Sequence, residues 1–263
     1  MSDRYRFKRL LAVLLCVLAV PPARAVESTG TPDESIDAAI ASPQRLASDL
    51  QQDRARLPAE FLAFVGVRPG MSVIDVFSAS GYYTELLARI VGAKGQVIAY
   101  NNPPYAEFAE KGIVERYAGD RLSNVRQITA PIEDLVLSPN SLDAAVFVMS
   151  YHDLYWRPED GSWPQTDALV LLEKLFVALK PGGVVVVQDH VAKTGGDTIE
   201  VVGKLHRIDP GVVRQDFLHA GFEFAGYSEM LANPGDDHSL LVYDPAIRGR
   251  TDRFVYRFRK PLN

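Results

Sequence analysis

From Met71 to Lys260 the spacing of hydrophobic positions keeps switching between two periods. MSVIDVF, QVIAYN, VRQITA, LDAAVFVMS and VVVVQD are short apolar runs rich in β-branched residues, the pattern of strands covered on both faces. Between them the period lengthens to that of a helix. GYYTELLARIVG places Leu86, Leu87, Ile90 and Val91 on one side, and NPP opens a helix from about Tyr105 to Tyr117. TDALVLLEKLFVALK reads as a helix stopped by Pro181-Gly182-Gly183. Asp209-Pro210 is an N-cap with a first-turn proline and starts a helix to Ala220. Upstream, Ser42-Pro43 opens a helix through Leu50 towards Arg56, Pro58 starts the piece PAEFLAFVG, and VRPG is a turn. Downstream, GFEFAGYSEM and DRFVYRFRK alternate with period two and have no helical pattern between them.

Strand-helix alternation with near-continuous apolar strands predicts an α/β domain built on a doubly wound, mostly parallel, seven-stranded sheet. The last two alternating strands predict an antiparallel C-terminal hairpin. One domain, residues 42–263, accounts for the pattern, preceded by a flexible polar leader over 26–41 that includes ESTGTPDES.

The first 25 residues follow a different logic. A basic lead (Arg4, Arg6, Lys8, Arg9) precedes the eleven apolar residues Leu10–Val20, and PPARA ends in small residues at Ala23 and Ala25. This is the layout of a cleavable signal peptide cut after Ala25, and the run is about half the roughly 20 residues needed to span a bilayer. The expectation is an exported, periplasmic protein with no stable membrane span. Its one cysteine, Cys16, lies in the signal, so the mature chain can form no disulfide. Of 28 basic and 33 acidic residues, five and one fall before Val26, which leaves 23 and 32 and a net charge of −9. That balance disfavours nucleic acid as a partner and leaves a small molecule as the expected one.

In open α/β sheets ligands sit beyond the carboxyl ends of the strands. Those ends carry, in order, Asp75 with the loop FSASG, Asn101, Glu133-Asp134, the stretch SYHDLYW (150–156) and Gln188-Asp189-His190. The opposite ends are ordinary turns: VRPG, GAKG and KPGG. Polar and aromatic groups thus gather at one edge of the sheet.

An acid closing strand one, a glycine turn into the next helix, KPGG before strand five and a closing hairpin resemble a class I S-adenosylmethionine-dependent methyltransferase. GYYTELLARIVG, YHDLYW, DH, LHRID and TDRFVYRFRKP resemble, more narrowly, a family of predicted, often exported bacterial methyltransferases. The resemblance implies the Rossmann-like methyltransferase fold and S-adenosyl-L-methionine held by Asp75, Phe77, Ala79, Gly81, Tyr82, Asn101, Glu133 and Asp134. Where that superclass has D/E-x-G-x-G-x-G, this chain has Asp75-Val76-Phe77-Ser78-Ala79-Ser80-Gly81. The acid and third glycine match; Phe77 and Ala79 replace the first two glycines, and Asn101 replaces the usual ribose-binding acid. Glu133 or Asp134 falls where the adenine amino group is met.

His152, Asp153, Asp189 and His190 are the expected catalytic residues, with His152 or His190 as general base for a poorly acidic acceptor. Their local spacing fits a hydrogen-bonded pocket wall better than a metal site, so no metal is expected. His206 could reach the mouth, and Tyr151, Tyr155, Trp156 and Trp163 form a candidate aromatic wall for substrate. RFVYRFRK reads as a strand with solvated arginines. The alternative is an exported, non-catalytic small-ligand-binding protein that keeps the fold with a degenerate cofactor loop. The Phe77 ring separates the two: turned into the pocket it favours the binding protein, turned into the core it favours the enzyme.

Overall fold

A computed structural model describes residues 34–262; the signal peptide expected over 1–25 lies outside them. Strands β1 (Ser72–Val76), β2 (Gln96–Asn101), β3 (Val125–Thr129), β4 (Leu142–Val148), β5 (Leu179–His190), β6 (Glu223–Ser228) and β7 (Arg253–Arg259) form one sheet in the order β3-β2-β1-β4-β5-β7-β6. The pairs from β3 through β5 are parallel, and β7 runs antiparallel to both β5 and β6. The expected antiparallel element is therefore present, with β7 inserted between β5 and β6.

Period-two alternation in the strands feeds two cores, one on each face. Ile74, Ala145, Phe147, Val185 and Val187 point to one side. There they meet helices α7 (Ala168–Ala178) and α9 (Pro210–His219) through Leu171, Leu175, Val213 and Phe217. Val73, Ala144, Val146, Val184 and Val186 point to the other. These pack on α1 (Glu34–Ile40), α4 (Pro58–Val65) and α5 (Tyr82–Val91) through Ile36, Phe61 and Leu86. Burial on both faces is why the central strands need no polar alternation.

Three elements differ from the sequence reading. The expected flexible leader gives way at Glu34 to α1, because Ile36 and Ala39 are each 1% exposed against α4 and α5. The helix expected from Ser42 to Arg56 is two single turns, α2 (Ala47–Leu50) and α3 (Asp53–Arg56). The chain bends there so that Asp53 meets the buried Arg45 at 2.6 and 2.7 Å while Asp49 reaches a different arginine, Arg116. An unanticipated helix, α8 (Thr198–Leu205), follows β5 and is capped by Asp197, whose side chain accepts from the Glu200 N–H. The KPGG segment ends α7 as expected but already belongs to β5, where the pairing with β4 shifts register between Leu142 and Ala144.

Candidate active site

Strand β1 ends in Asp75, 3% exposed, whose carboxylate accepts from Thr84 Oγ1 at 2.6 Å. Burial raises its carboxyl to about 6, against the lowering effect of the Thr84 hydrogen bonds. The following loop adopts the left-handed region at alternate residues: φ is 54° at Phe77, 47° at Ala79 and 82° at Gly81. These are the three positions of the glycine pattern. The side chains have changed while the backbone path has kept its handedness, at a cost of about 1–2 kcal/mol for each non-glycine residue.

Other contacts hold the loop in that path. Asn101, at the end of β2, accepts from the Ala79 N–H through Oδ1 at 2.9 Å and donates to the Ala79 carbonyl through Nδ2 at 3.2 Å. An ionised carboxylate could accept but not donate, so an amide suits this clamp where an acid would not. Helix α6 (Pro103–Tyr117) contributes Arg116, whose Nε donates to the Ser80 carbonyl. At Gly81 a β-carbon would lie 2.8 Å from Arg116 Cδ and 2.9 Å from Tyr117 Oη, so this glycine is required by space as well as by φ.

The Phe77 ring is 4% exposed and stacks on Tyr105 (5.0 Å, 11°) and Tyr100 (5.7 Å, 29°). It joins the core and also contributes to the wall of a cavity of about 280 Å³. Asp75, Ala79 and Tyr82 lie on this cavity, and so do His152, Asp153 and His190. The first-strand loop and the histidine edge thus face one space. Asp189 stands directly behind His152. Tyr105, Tyr243 and Arg56 complete walls that the sequence did not single out, because they come from α6, from the connection between β6 and β7, and from α3.

Not every expected cofactor residue arrives there. Asn101 lies on a separate groove of about 380 Å³ between α6 and β2–β3, with Gln127, Thr129 and Tyr117. Glu133 and Asp134 are exposed and line neither space; Glu133 Oε1 accepts from Thr166 Oγ1 at 3.1 Å instead. The aromatic wall also divides. Tyr151 and Tyr155 turn away to α9, where both hydroxyls donate to Asp216, at 2.8 and 2.5 Å. Trp156 packs on His206 and Trp163 at 5.4 and 5.1 Å, and Trp163 Nε1 donates to the Asp153 carbonyl at 2.9 Å.

His152 begins a single 3₁₀ turn, His152–Leu154, after the left-handed Met149 (φ 54°) breaks β4. Its Nδ1 lies 2.8 Å from Asp189 Oδ1, and its backbone N–H donates to Asp189 Oδ2 at 2.9 Å. Asp189 is fully buried and also accepts from the His190 N–H at 2.7 Å. Burial works against the His152 imidazolium, but Asp153 and Asp189 outweigh it and raise the group to about 9. The burial that would raise Asp189 is likewise outweighed by His152, which keeps it ionised below its ordinary value. His190, with Nδ1 on Thr251 Oγ1 at 2.8 Å, is pushed down to about 3 by burial, and His206 to about 4 by burial and the His152 charge. His152 is therefore held as a hydrogen-bond donor and His190 as a neutral ring; of the two expected bases, only His190 keeps a nitrogen lone pair at neutral pH.

With this geometry in view, known proteins give a consistent picture. Residues 35–125 match the family described as Protein-L-isoaspartate(D-aspartate) O-methyltransferase, a stretch that holds β1 and its loop. A SAM-dependent methyltransferase from Aquifex aeolicus superposes with a TM-score of 0.55 at 20% identity, covering 80% of this chain and 95% of its own. The fold is the Rossmann-like methyltransferase fold. The [4+2]-cyclase SpnF shares this methyltransferase fold at TM-score 0.53 and 16% identity, covering 85% of this chain and 84% of its own, so the fold alone does not fix the chemistry. In sequence, the chain is 28% identical over 123 residues to the ubiquinone/menaquinone biosynthesis C-methyltransferase UbiE of Idiomarina loihiensis, 46% of this chain and 43% of that one. It is 28% identical over 165 residues to the carboxy-S-adenosyl-L-methionine synthase of Vibrio vulnificus, 62% and 57% respectively. The chain spans about half the length of these curated relatives.

Proposed function

We propose that the protein is an S-adenosylmethionine-dependent methyltransferase acting on a small-molecule acceptor, and that it works outside the cytoplasm after removal of residues 1–25. The observation that carries the reaction class is the single cavity shared by the Asp75–Tyr82 loop and the His152–Asp153 turn. The names of the matched family and relatives support the same class.

The loop end of this cavity suits the amino-acid end of the cofactor. Asp75 offers a carboxylate to an ammonium group, and Ser78 Oγ is buried with no hydrogen-bond partner among the described residues. Asn101, Glu133 and Asp134 do not line this cavity, whose own surfaces for a flat ring include Tyr105 and Phe108. When bound, the cofactor would supply a methyl group on a sulfonium, whose carbon–sulfur bond breaks as the acceptor's bond to that carbon forms. The protein's share is chiefly to hold the two in line. His152, fixed by Asp189, presents a donor to the acceptor, and neutral His190 can take a proton from it. The Phe77 ring stacks into the core and also lines the cavity, so it does not by itself separate the enzyme from the non-catalytic binding protein.

Calorimetric titration with S-adenosylmethionine and S-adenosylhomocysteine tests the reading. Both should bind one per chain, and Asp75→Ala should abolish the heat while leaving the circular dichroism unchanged. No binding at millimolar ligand would sink the methyltransferase and leave the binding protein. Unchanged affinity in Asp75→Ala would remove Asp75 from the site.

A further inference from the structure

Three residues from two separated segments converge at the histidine edge: His152, Asp153 and His206 each bring one potential ligand atom within 4.8 Å of the other two. No hydrogen bond joins them, and in the absence of an ion it is the attraction of the His152 imidazolium for Asp153 that brings that pair together. His152 Nε2 and His206 Nδ1 stand 3.4 and 3.9 Å from Asp153 Oδ1, and His206 Nδ1 is buried without a hydrogen-bond partner among the described residues. A buried ring nitrogen left unpaired costs stability unless something else fills its lone pair.

The surroundings match what a metal ligand set requires. His152 has its other nitrogen on Asp189, whose two oxygens are in turn fixed by the backbone N–H groups of His152 and His190. A carboxylate behind a ligating imidazole sets its orientation and tautomer. Asp153 divides its oxygens: Oδ2 accepts from the Tyr105 hydroxyl, which leaves Oδ1 for a single bond elsewhere. His206 is the left-handed cap of α8 (φ 49°), and its ring is wedged against Trp156 at 5.4 Å and Tyr243 at 5.2 Å. Neighbouring ligands of a tetrahedral ion with bonds near 2.1 Å lie roughly 3.4 Å apart, so the gaps, 4.8 Å at most, need to close by no more than about 1.4 Å.

We infer that His152 Nε2, Asp153 Oδ1 and His206 Nδ1 form a mononuclear site for a divalent transition ion of the zinc type, with its remaining position open to the cavity. Two imidazoles and one carboxylate suit Zn²⁺ or Co²⁺ better than Mg²⁺ or Ca²⁺, which take oxygen ligands. The ion replaces the proton on His152 Nε2, and with it the donor role given to His152 above. The open position would receive an oxygen or sulfur donor of the acceptor as its anion, the proton leaving to water. That role, unlike the ion site itself, rests on the methyl-transfer reading.

The test is titration of the full chain, purified without a polyhistidine tag and stripped with chelator, with Zn²⁺ by calorimetry and with Co²⁺ by visible absorption. One ion per chain is expected, with the absorption bands of nitrogen–oxygen coordination. His206→Asn retains a residue that tolerates the left-handed backbone, and it should weaken Zn²⁺ binding by at least about 100-fold. Asp153→Asn should do the same if the first variant misfolds, and His219→Ala, exposed on α9, should change nothing. Less than stoichiometric Zn²⁺, or full affinity in both site variants, overturns the inference. S-adenosylhomocysteine titrated into the stripped protein separates the two readings. Cofactor binding without Zn²⁺ binding overturns the ion site alone; Zn²⁺ binding without cofactor binding overturns methyl transfer and leaves the ion site standing.

Discussion

The Asp75 carboxyl is raised to about 6 by burial, above an ordinary value of 3.8. Between those two values the folded chain holds a proton that the unfolded chain has released. The stability this group contributes is therefore full below about pH 4 and is lost as pH rises through about 6. A tenfold change in proton affinity is worth about 1.4 kcal/mol, which makes the loss on the order of 3 kcal/mol. Asp75→Asn fixes the neutral form, so urea denaturation at steps from pH 4 to 7 should show wild type losing about this much relative to the variant. Parallel curves would mean that Asp75 does not titrate in this window. The acid was legible from its place at a strand end, as were His152, Asp153 and His190, which reach the same cavity. What the sequence hid was each side chain's partner. Asn101 looks like a weakened ribose ligand until its bidentate grip on Ala79 is seen, and Phe77 looks like an obstruction until Tyr100 and Tyr105 are found around it. Both depend on contacts between elements distant in sequence, and so does His206, 53 residues beyond Asp153.

Arg116 shows how one helix fixes another element's loop. It lies on α6, yet pairs with Asp49 of α2 at 2.8 Å and Glu85 of α5 at 2.6 Å, all three being 3% exposed or less at their side chains. Its Nε holds the Ser80 carbonyl of the first-strand loop. Arg116→Leu would leave the buried Asp49 carboxylate without a partner, while Glu85 keeps Arg89 and Arg121, a loss of about 3–5 kcal/mol. Lys180→Ala, which breaks the more exposed pair with Asp143, should cost about 1 kcal/mol or less. Denaturant melts of both variants check the contrast, and similar midpoints would contradict it. The strands and longer helices were legible because each buries a face with its own period. The Ser42–Arg56 region was not, since long-range ion pairs, rather than helical periodicity, set its bends. Helix α8 did carry a local signal in Asp197-Thr-Ile-Glu200, a cap followed three residues later by an acid. Its short apolar face next to Thr194-Gly195-Gly196 masked it.

For the molecule as a whole, export is the proposal that most constrains how the chain is used. Among the described residues no helix is long and apolar enough to cross a membrane. Expressed in a bacterial host, the chain should be recovered from the periplasm with an intact mass corresponding to a start at Val26. A full-length mass, or recovery from the cytoplasm alone, would remove both the cleavage and the difficulty of supplying a cytoplasmic cofactor elsewhere. The chain has two tryptophans, Trp156 and Trp163. One packs on His206 and the other donates to the Asp153 carbonyl. All of the protein's tryptophan emission therefore originates within a few ångströms of the histidine edge, and this unlabelled molecule carries its own optical gauge of whatever occupies that end of the cavity.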